Sequence, residues 1–201
     1  MIVADARHCQ RETAKMIIDK KADYLLCVKS NQETTKRSIA EYVQDKSLCK
    51  TMDTAMTVEK SGGRIEKCTA HSTCDTSWLE SKSDWVNLIS IGAIHRQSES
   101  KAGISSQWHY YISSRPLSAT DLLRYARMEW SVETMHWLLD VHFAEDFCRV
   151  EDEAVQRNLN TIRKVALNTI RNFKNVSGSK RIISKLMLNS LLNPFAILYL
   201  L

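Results

Sequence analysis

The chain has 201 residues, 44% hydrophobic and 25% charged, with a formal net charge of +5; this balance excludes a disordered chain and suffices for one or two modest cores. No apolar run reaches the roughly eighteen residues of a membrane span, and the N-terminus lacks the basic, apolar and small-residue order of a secretory signal, so no membrane partner is expected and the cytoplasm is the default setting. Met1 to Ala4 is an apolar run ending in Asp5, and a helical pattern through Ala14, Met16, Ile17 and Ile18 leads to Lys21. Tyr24 to Val28 reads as a second, buried strand. Strand, helix and strand at this spacing predict a βαβ unit with a parallel pair and a right-handed crossover. Asp5 then lies at the C-terminal end of a parallel strand, the edge at which α/β sheets build their sites.

Residues 33 to 47 look helical, after which Thr51 to Val58, a turn at Ser61 to Gly63, Arg64 to Cys74, Val86 to His95 and Gln107 to Ser114 read as strands. From Pro116 the pattern is helical again, with Ser118 as N-cap and segments near 119–128, 130–143, 151–173 and 179–192. The expected layout is three parts: a partial core over 1–50, a β-rich region over 51–115 and a helical part over 116–201. Met1 opens directly into what reads as an interior strand, and a parallel pair alone makes a poor core, so preceding strands are expected to be missing.

The charge is unevenly placed. Residues 1–150 hold 20 basic and 20 acidic side chains, whereas 151–201 hold eight Lys or Arg against Glu151, Asp152 and Glu153. Arg157, Lys164 and Arg171 recur every seven residues and form a basic stripe on one helix, with Val155, Leu159, Ile162, Ala166, Thr169 and Phe173 as its expected buried stripe. Phosphate contact and a solvated basic face are both open readings, and the acids at 151–153 suit the positive end of the helix dipole. Lys29 with Asn31 and Gln32 beside the βαβ edge, and Arg64 after the Gly62–Gly63 turn, are further candidates for contact with an anionic partner, with ordinary surface polarity as the alternative.

Of the six cysteines, Cys68 and Cys74 flank His71, yet strand alternation sends His71 to the opposite face and no fourth ligand follows at finger spacing, so zinc is not expected. Asp5 and Glu133 stand 128 residues apart, one at a strand end and one on a later helix. Two such carboxylates brought together are what Mg²⁺ or Mn²⁺ asks for, because hard cations prefer oxygen ligands. In two-metal sites the ions lie about 3.5 to 4 Å apart and serve the attacking and leaving oxygens. On the helix around Glu133, Val132, Met135 and Leu139 share one stripe and Glu133, Trp137 and Asp140 the next, which equally describes an amphipathic helix anchored by Trp130 and Trp137.

The segment from Arg127 through Trp130, Glu133, His136, Trp137, Asp140 and Phe143 to Asp146 closely resembles the signature around the last catalytic Glu in the H-repeat-associated family of bacterial insertion-sequence transposases. Ile2 to Ala6 followed by Cys9 and Gln10 resembles that family's strand bearing the second catalytic Asp, and Tyr24 to Gln32 the strand and turn after it. Gly63 to Glu66, Trp85, Tyr110 to Ser114 and Ala166 to Asn168 also look like family positions, in the same order.

The resemblance implies an α/β, ribonuclease-H-like fold with a β-rich region inserted between the second Asp and the final Glu. It implies Asp5 and Glu133 as catalytic, metal-binding carboxylates, Mg²⁺ or Mn²⁺ as cofactor, double-stranded DNA at element ends as partner, and a bacterial cytoplasmic setting; a homodimer is allowed. Arg127 falls where the family's arginines position phosphate oxygens, the alternative being a salt bridge to Glu129 or Asp5. The family's first Asp lies upstream of anything present here, so the chain is expected to be truncated and inactive alone. The alternative is a catalytically dead DNA-binding or dimerising remnant, and a third reading is a product without a stable fold. The sequence departs from the family at Glu129, where His is usual; one turn before Glu133, it would repel that carboxylate or raise its pKa unless a metal or Arg127 intervenes.

Overall fold

In the computed structural model, which describes residues 1–192 apart from 62, 102, 180 and 182, the fold begins with the βαβ unit. β1 (Ile2–Ala4) and β2 (Tyr24–Val28) are joined by α1 (Arg11–Asp19) and pair in parallel, Val3 opposite Leu25. All five residues of β2 are buried, as a strand flanked on both sides and covered on both faces must be.

What flanks β2 on its other side is β6 (Gly103–Ser113), antiparallel to it, with Cys27 opposite Tyr111. β3 (Asp53–Ser61), β4 (Arg64–Thr73) and β5 (Ser90–Ser100) extend the antiparallel ladder, giving a six-stranded mixed sheet in the order β1-β2-β6-β5-β4-β3. Strands from residues 2–28 and from 53–113 thus share one sheet, and the expected poor two-stranded core is replaced by a mixed α/β layer structure. Gly63 turns the chain between β3 and β4 with φ +77°, a conformation that glycine adopts without strain; Gly62 of the expected turn lies outside the described residues.

Each sheet face has its own core. α1 and α2 (Glu33–Gln44) cover one face, where Ala14, Ile17, Ile39 and Tyr42 meet Tyr24, Leu26, Ile91 and Ile112. α3 (Lys46–Cys49) follows at once, capped by the Asp45 carboxylate, which accepts from the Ser47 and Leu48 amides at 2.7 and 3.2 Å. α4 (Ala119–Phe143) covers the other face, setting Leu122, Leu123 and Ala126 on Leu25, Cys27, Cys68, Ala70, Ile94 and Tyr111. Ser118 is its N-cap, accepting from the Asp121 amide at 3.0 Å while its hydroxyl donates to the Asp121 carboxylate. The two helical segments expected over 119–143 are one helix, because neither Gly nor Pro interrupts them.

The chain divides into two compact units, Met1–Trp130 and Ser131–Leu201. In the second, Leu138 and Leu139 pack on Leu167 of α5 (Glu153–Ser177), with Ile183 of α6 (Ile183–Leu192) alongside. Asp152 caps α5 by accepting from the Ala154 and Val155 amides, and Gly178 ends it in the left-handed conformation. Residues 180 and 182 of the expected helix 179–192 are not described. The buried positions of α5 are Leu167 and Ile170, not the expected stripe, in which Val155 is 43% and Ile162 63% exposed. Leu138 and Leu139 take up the neighbouring face of α5 instead. Among the described residues, no helix is long and apolar enough to cross a membrane.

Candidate active site

Asp5 stands where the βαβ reading places it, at the C-terminal end of β1. Its carboxylate caps a 3-10 turn over Ala6–His8, accepting from the Arg7 amide at 3.1 Å, with His8 Nε2 at 4.0 Å, and the side chain is half exposed. The turn that follows is stitched to the end of β2: Asn31 Nδ2 donates to the Ala6 and Cys9 carbonyls at 2.7 and 3.2 Å, and Gln32 Nε2 to the Cys9 carbonyl at 3.0 Å. Two side chains singled out for DNA contact therefore spend their amides on fixing the loop that carries Asp5. Lys29, at the same edge, is exposed.

Glu133 is exposed on α4, in the second compact unit. Trp137, one turn on, is 57% exposed, so the expectation of two tryptophan anchors holds for Trp130 alone, which packs on the sheet. The guanidinium of Arg127 pairs with the Glu59 carboxylate and donates to Thr57 Oγ1 at 2.9 Å, and this anionic company raises its pKa further. Glu129 turns to the sheet beside Tyr111, whose ionisation is pushed up by burial first, then by the charges of Cys27 and Glu129.

The other basic candidates lie on β4 and α5. Arg64 is exposed at the start of β4. The ladder places its row near Ser100 and Gly103, six residues along β6 from His109 and so about 20 Å from the Lys29 edge at ~3.3 Å per residue. On α5, Arg157 is exposed and pairs with Glu153 at 3.3 Å, while Lys164 and Arg171 are half buried. Cys68 faces the α4 core; His71, on the opposite face, meets Thr54 Oγ1 at 3.1 Å and Cys49 Sγ at 3.5 Å.

Two residues that the sequence did not single out stand beside Trp130. Arg96 lies over its ring at 5.2 Å and pairs with Glu66 at 2.6 Å; the His109 ring is tilted against it at 5.0 Å. Burial, and then the charges of Arg96 and Lys29, push the His109 pKa down to about 4. Neither was legible because β5 and β6 alternate like any exposed hairpin, and only the docking of α4 brings Trp130 to them. His109 and Lys29 also line a cavity of about 310 Å³ with Lys36, Gln107 and Trp108.

As to metal, the carboxylate of Asp5 is the hard oxygen donor that a divalent magnesium or manganese ion takes, and its half-exposed place at a strand end leaves it open to one. Among the described residues, no three His, Cys, Asp or Glu side chains converge on one point.

Comparison with known proteins matches the family described as transposase DDE domain over residues 1–169. YncI of Escherichia coli O157:H7, which carries a transposase name, is 32% identical over 94% of this chain and 50% of its own length. YbfL of Escherichia coli strain K12 is 31% identical, and the H repeat-associated YhhI of the same strain 30%, each over 87% of this chain and 48% of its own. The chain thus spans about half the length of the curated relatives it matches. With the match running from β1 through most of α5, and relatives that carry transposase names beside it, the chain belongs to the DDE transposase family.

Proposed function

We propose that Asp5 and Glu133 are two of the three carboxylates of a ribonuclease-H-like site for metal-dependent phosphodiester hydrolysis and strand transfer on double-stranded DNA at the ends of an insertion element. In this reading residues 1–50 are part of the catalytic core, 51–115 the inserted β-rich region and 116–201 the helical part that carries Glu133; the third carboxylate comes from outside these 201 residues, and the chain is inactive without it. The observation that carries the reading is the loop after β1: Asn31 and Gln32 fix the turn that follows Asp5 at the C-terminal edge of a parallel pair, as a ligand that must not drift requires. A divalent magnesium or manganese ion held there supplies electrostatic stabilisation of the attacking and leaving oxygens. Lys29 beside that edge, and Arg157, Lys164 and Arg171 on α5, hold the DNA by its phosphates.

One observation favours the alternative, a DNA-binding or dimerising remnant: Arg127, which the family resemblance aims at a phosphate, is held by Glu59 and Thr57. Cleavage decides between the two. The chain alone and the chain joined to the upstream segment of a family member are assayed for nicking of element-end DNA in Mg²⁺ or Mn²⁺. The site predicts nicking by the joined form only, and its loss in Asp5→Ala and in Glu133→Ala. Nicking that survives both substitutions removes the assignment, and DNA binding without nicking in either form supports the remnant.

A further inference from the structure

The outer half of the β4–β5–β6 ladder carries an unusual set of side chains on the face that α4 covers farther along. By register, Arg96 stands opposite Gln107, Ser98 opposite Ser105, and Ser100 opposite Gly103, with Arg64 at the neighbouring end of β4. Trp130 of α4 stands on this face, with Arg96 over its ring. Beyond it the short side chains leave a trough of about 470 Å³ with an arginine at each end. From the row of Arg64 to that of Arg96 is four residues of β4, about 13 Å at ~3.3 Å per residue.

On this face the outer ladder presents hydroxyls, an amide, two guanidiniums and the Glu66 carboxylate. Glu66, the carboxylate within the ladder here, is engaged by Arg96 at 2.6 Å. Among the described residues Arg64 makes no ion pair, and its exposed guanidinium is available for bidentate contact. Arg96 is pinned between Glu66 and the Trp130 ring, so little side-chain freedom is lost when it accepts a ligand. Hydroxyl and guanidinium donors along an extended trough suit an extended polyanion with oxygen acceptors at regular intervals, and at ~3.4 Å of axial rise per phosphate the span from Arg64 to Arg96 covers about four nucleotides of one DNA strand.

We propose that this trough, with Arg64, Arg96, Ser98, Ser105 and Gln107 as its donors, is a second DNA-backbone site, its Arg64 end roughly 20 Å along the ladder from the Lys29 edge. It rests on the reading of the chain as a DNA-binding transposase, and adds where the β-rich region grips. A duplex held there and at the Asp5 edge is held at two points, which fixes its direction as well as its position.

The test is fluorescence anisotropy of a labelled duplex without element sequence, titrated with the full chain at several salt concentrations. Arg64→Gln should weaken binding several-fold and flatten the log–log salt slope by about 0.9, the value of one phosphate contact. Ser105→Glu, which sets a carboxylate in the trough, should weaken it about tenfold, while Ser105→Thr keeps wild-type affinity. Both positions are exposed, and an unchanged circular dichroism spectrum confirms that the variants fold. Wild-type affinity and slope in Arg64→Gln and Ser105→Glu, with loss in Arg157→Gln on α5, overturn the trough and leave the DNA-binding reading intact. Absence of salt-sensitive binding by the wild-type chain overturns both.

Discussion

His109 is packed against Trp130 and faces two cations, Arg96 and Lys29, and each of these circumstances opposes its protonation. Its folded pKa of about 4 lies below the ordinary histidine value of 6.5, so between these values the unfolded chain binds more protons than the folded one. Its contribution to stability is therefore complete above pH ~6.5 and is lost as pH falls toward 4. Thermal unfolding followed from pH 7 to pH 5 should show a falling midpoint in the wild type and a flatter dependence in His109→Phe; parallel curves would show that His109 carries none of the acid sensitivity. At the same scale, Asn31 and Gln32 correct the picture of a polar surface strip at the βαβ edge. Their amides are committed to carbonyls of the Asp5 loop, and a sequence does not say whether an amide faces solvent or its own backbone.

α4 lies close on the sheet because β5 offers it a glycine. A Cβ added at Gly92 would stand 2.4 Å from Leu122 Cδ2 and 3.1 Å from the His71 carbonyl, in a core where Leu122 is fully buried. Gly92→Ala should cost about 1–3 kcal/mol, as overpacking does, and chemical denaturation measures it; an unchanged midpoint would mean that Leu122 moves freely. The cap of α5 makes a second prediction. Asp152 holds two amides, at 2.8 and 3.0 Å, so Asp152→Ala should remove about 1 kcal/mol of helix stability and lower the helical circular dichroism signal on warming, whereas Asp152→Ser should restore most of it. At both ends of α5 the sequence and the structure agree to within a few residues, since caps are local. Which face of α5 is buried differs, because α5 carries apolar residues on more than one face and the choice belongs to the helices packed against it.

For the whole molecule, the same α5 leaves Val155 and Ile162 exposed at 43% and 63%, on the stripe whose spacing predicts burial, and Val176 beyond it at 89%. Such a stripe drives association in water, and the allowed homodimer would use it. Light scattering across a concentration series should show self-association that Ile162→Glu suppresses, and a monomer at every concentration would remove the homodimer from the proposal. Much of the architecture was legible. The βαβ unit, the strand run after it, the cap at Ser118 and the helical C-terminal part follow from local periodicity and turn chemistry, which neighbouring residues dictate without reference to distant ones. The family signature at Arg127 to Asp146, and the place of Asp5 at a strand end, are likewise written in the chain. Only tertiary structure decided that β6 returns to pair with β2 and joins the β-rich run to the parallel pair in one sheet, that Arg127 turns to Glu59, and that Arg96 and His109 meet Trp130. These contacts join residues from about 20 to 90 positions apart, and their partners are selected by which faces remain to be buried once the local elements exist, a competition that no stretch of sequence settles by itself.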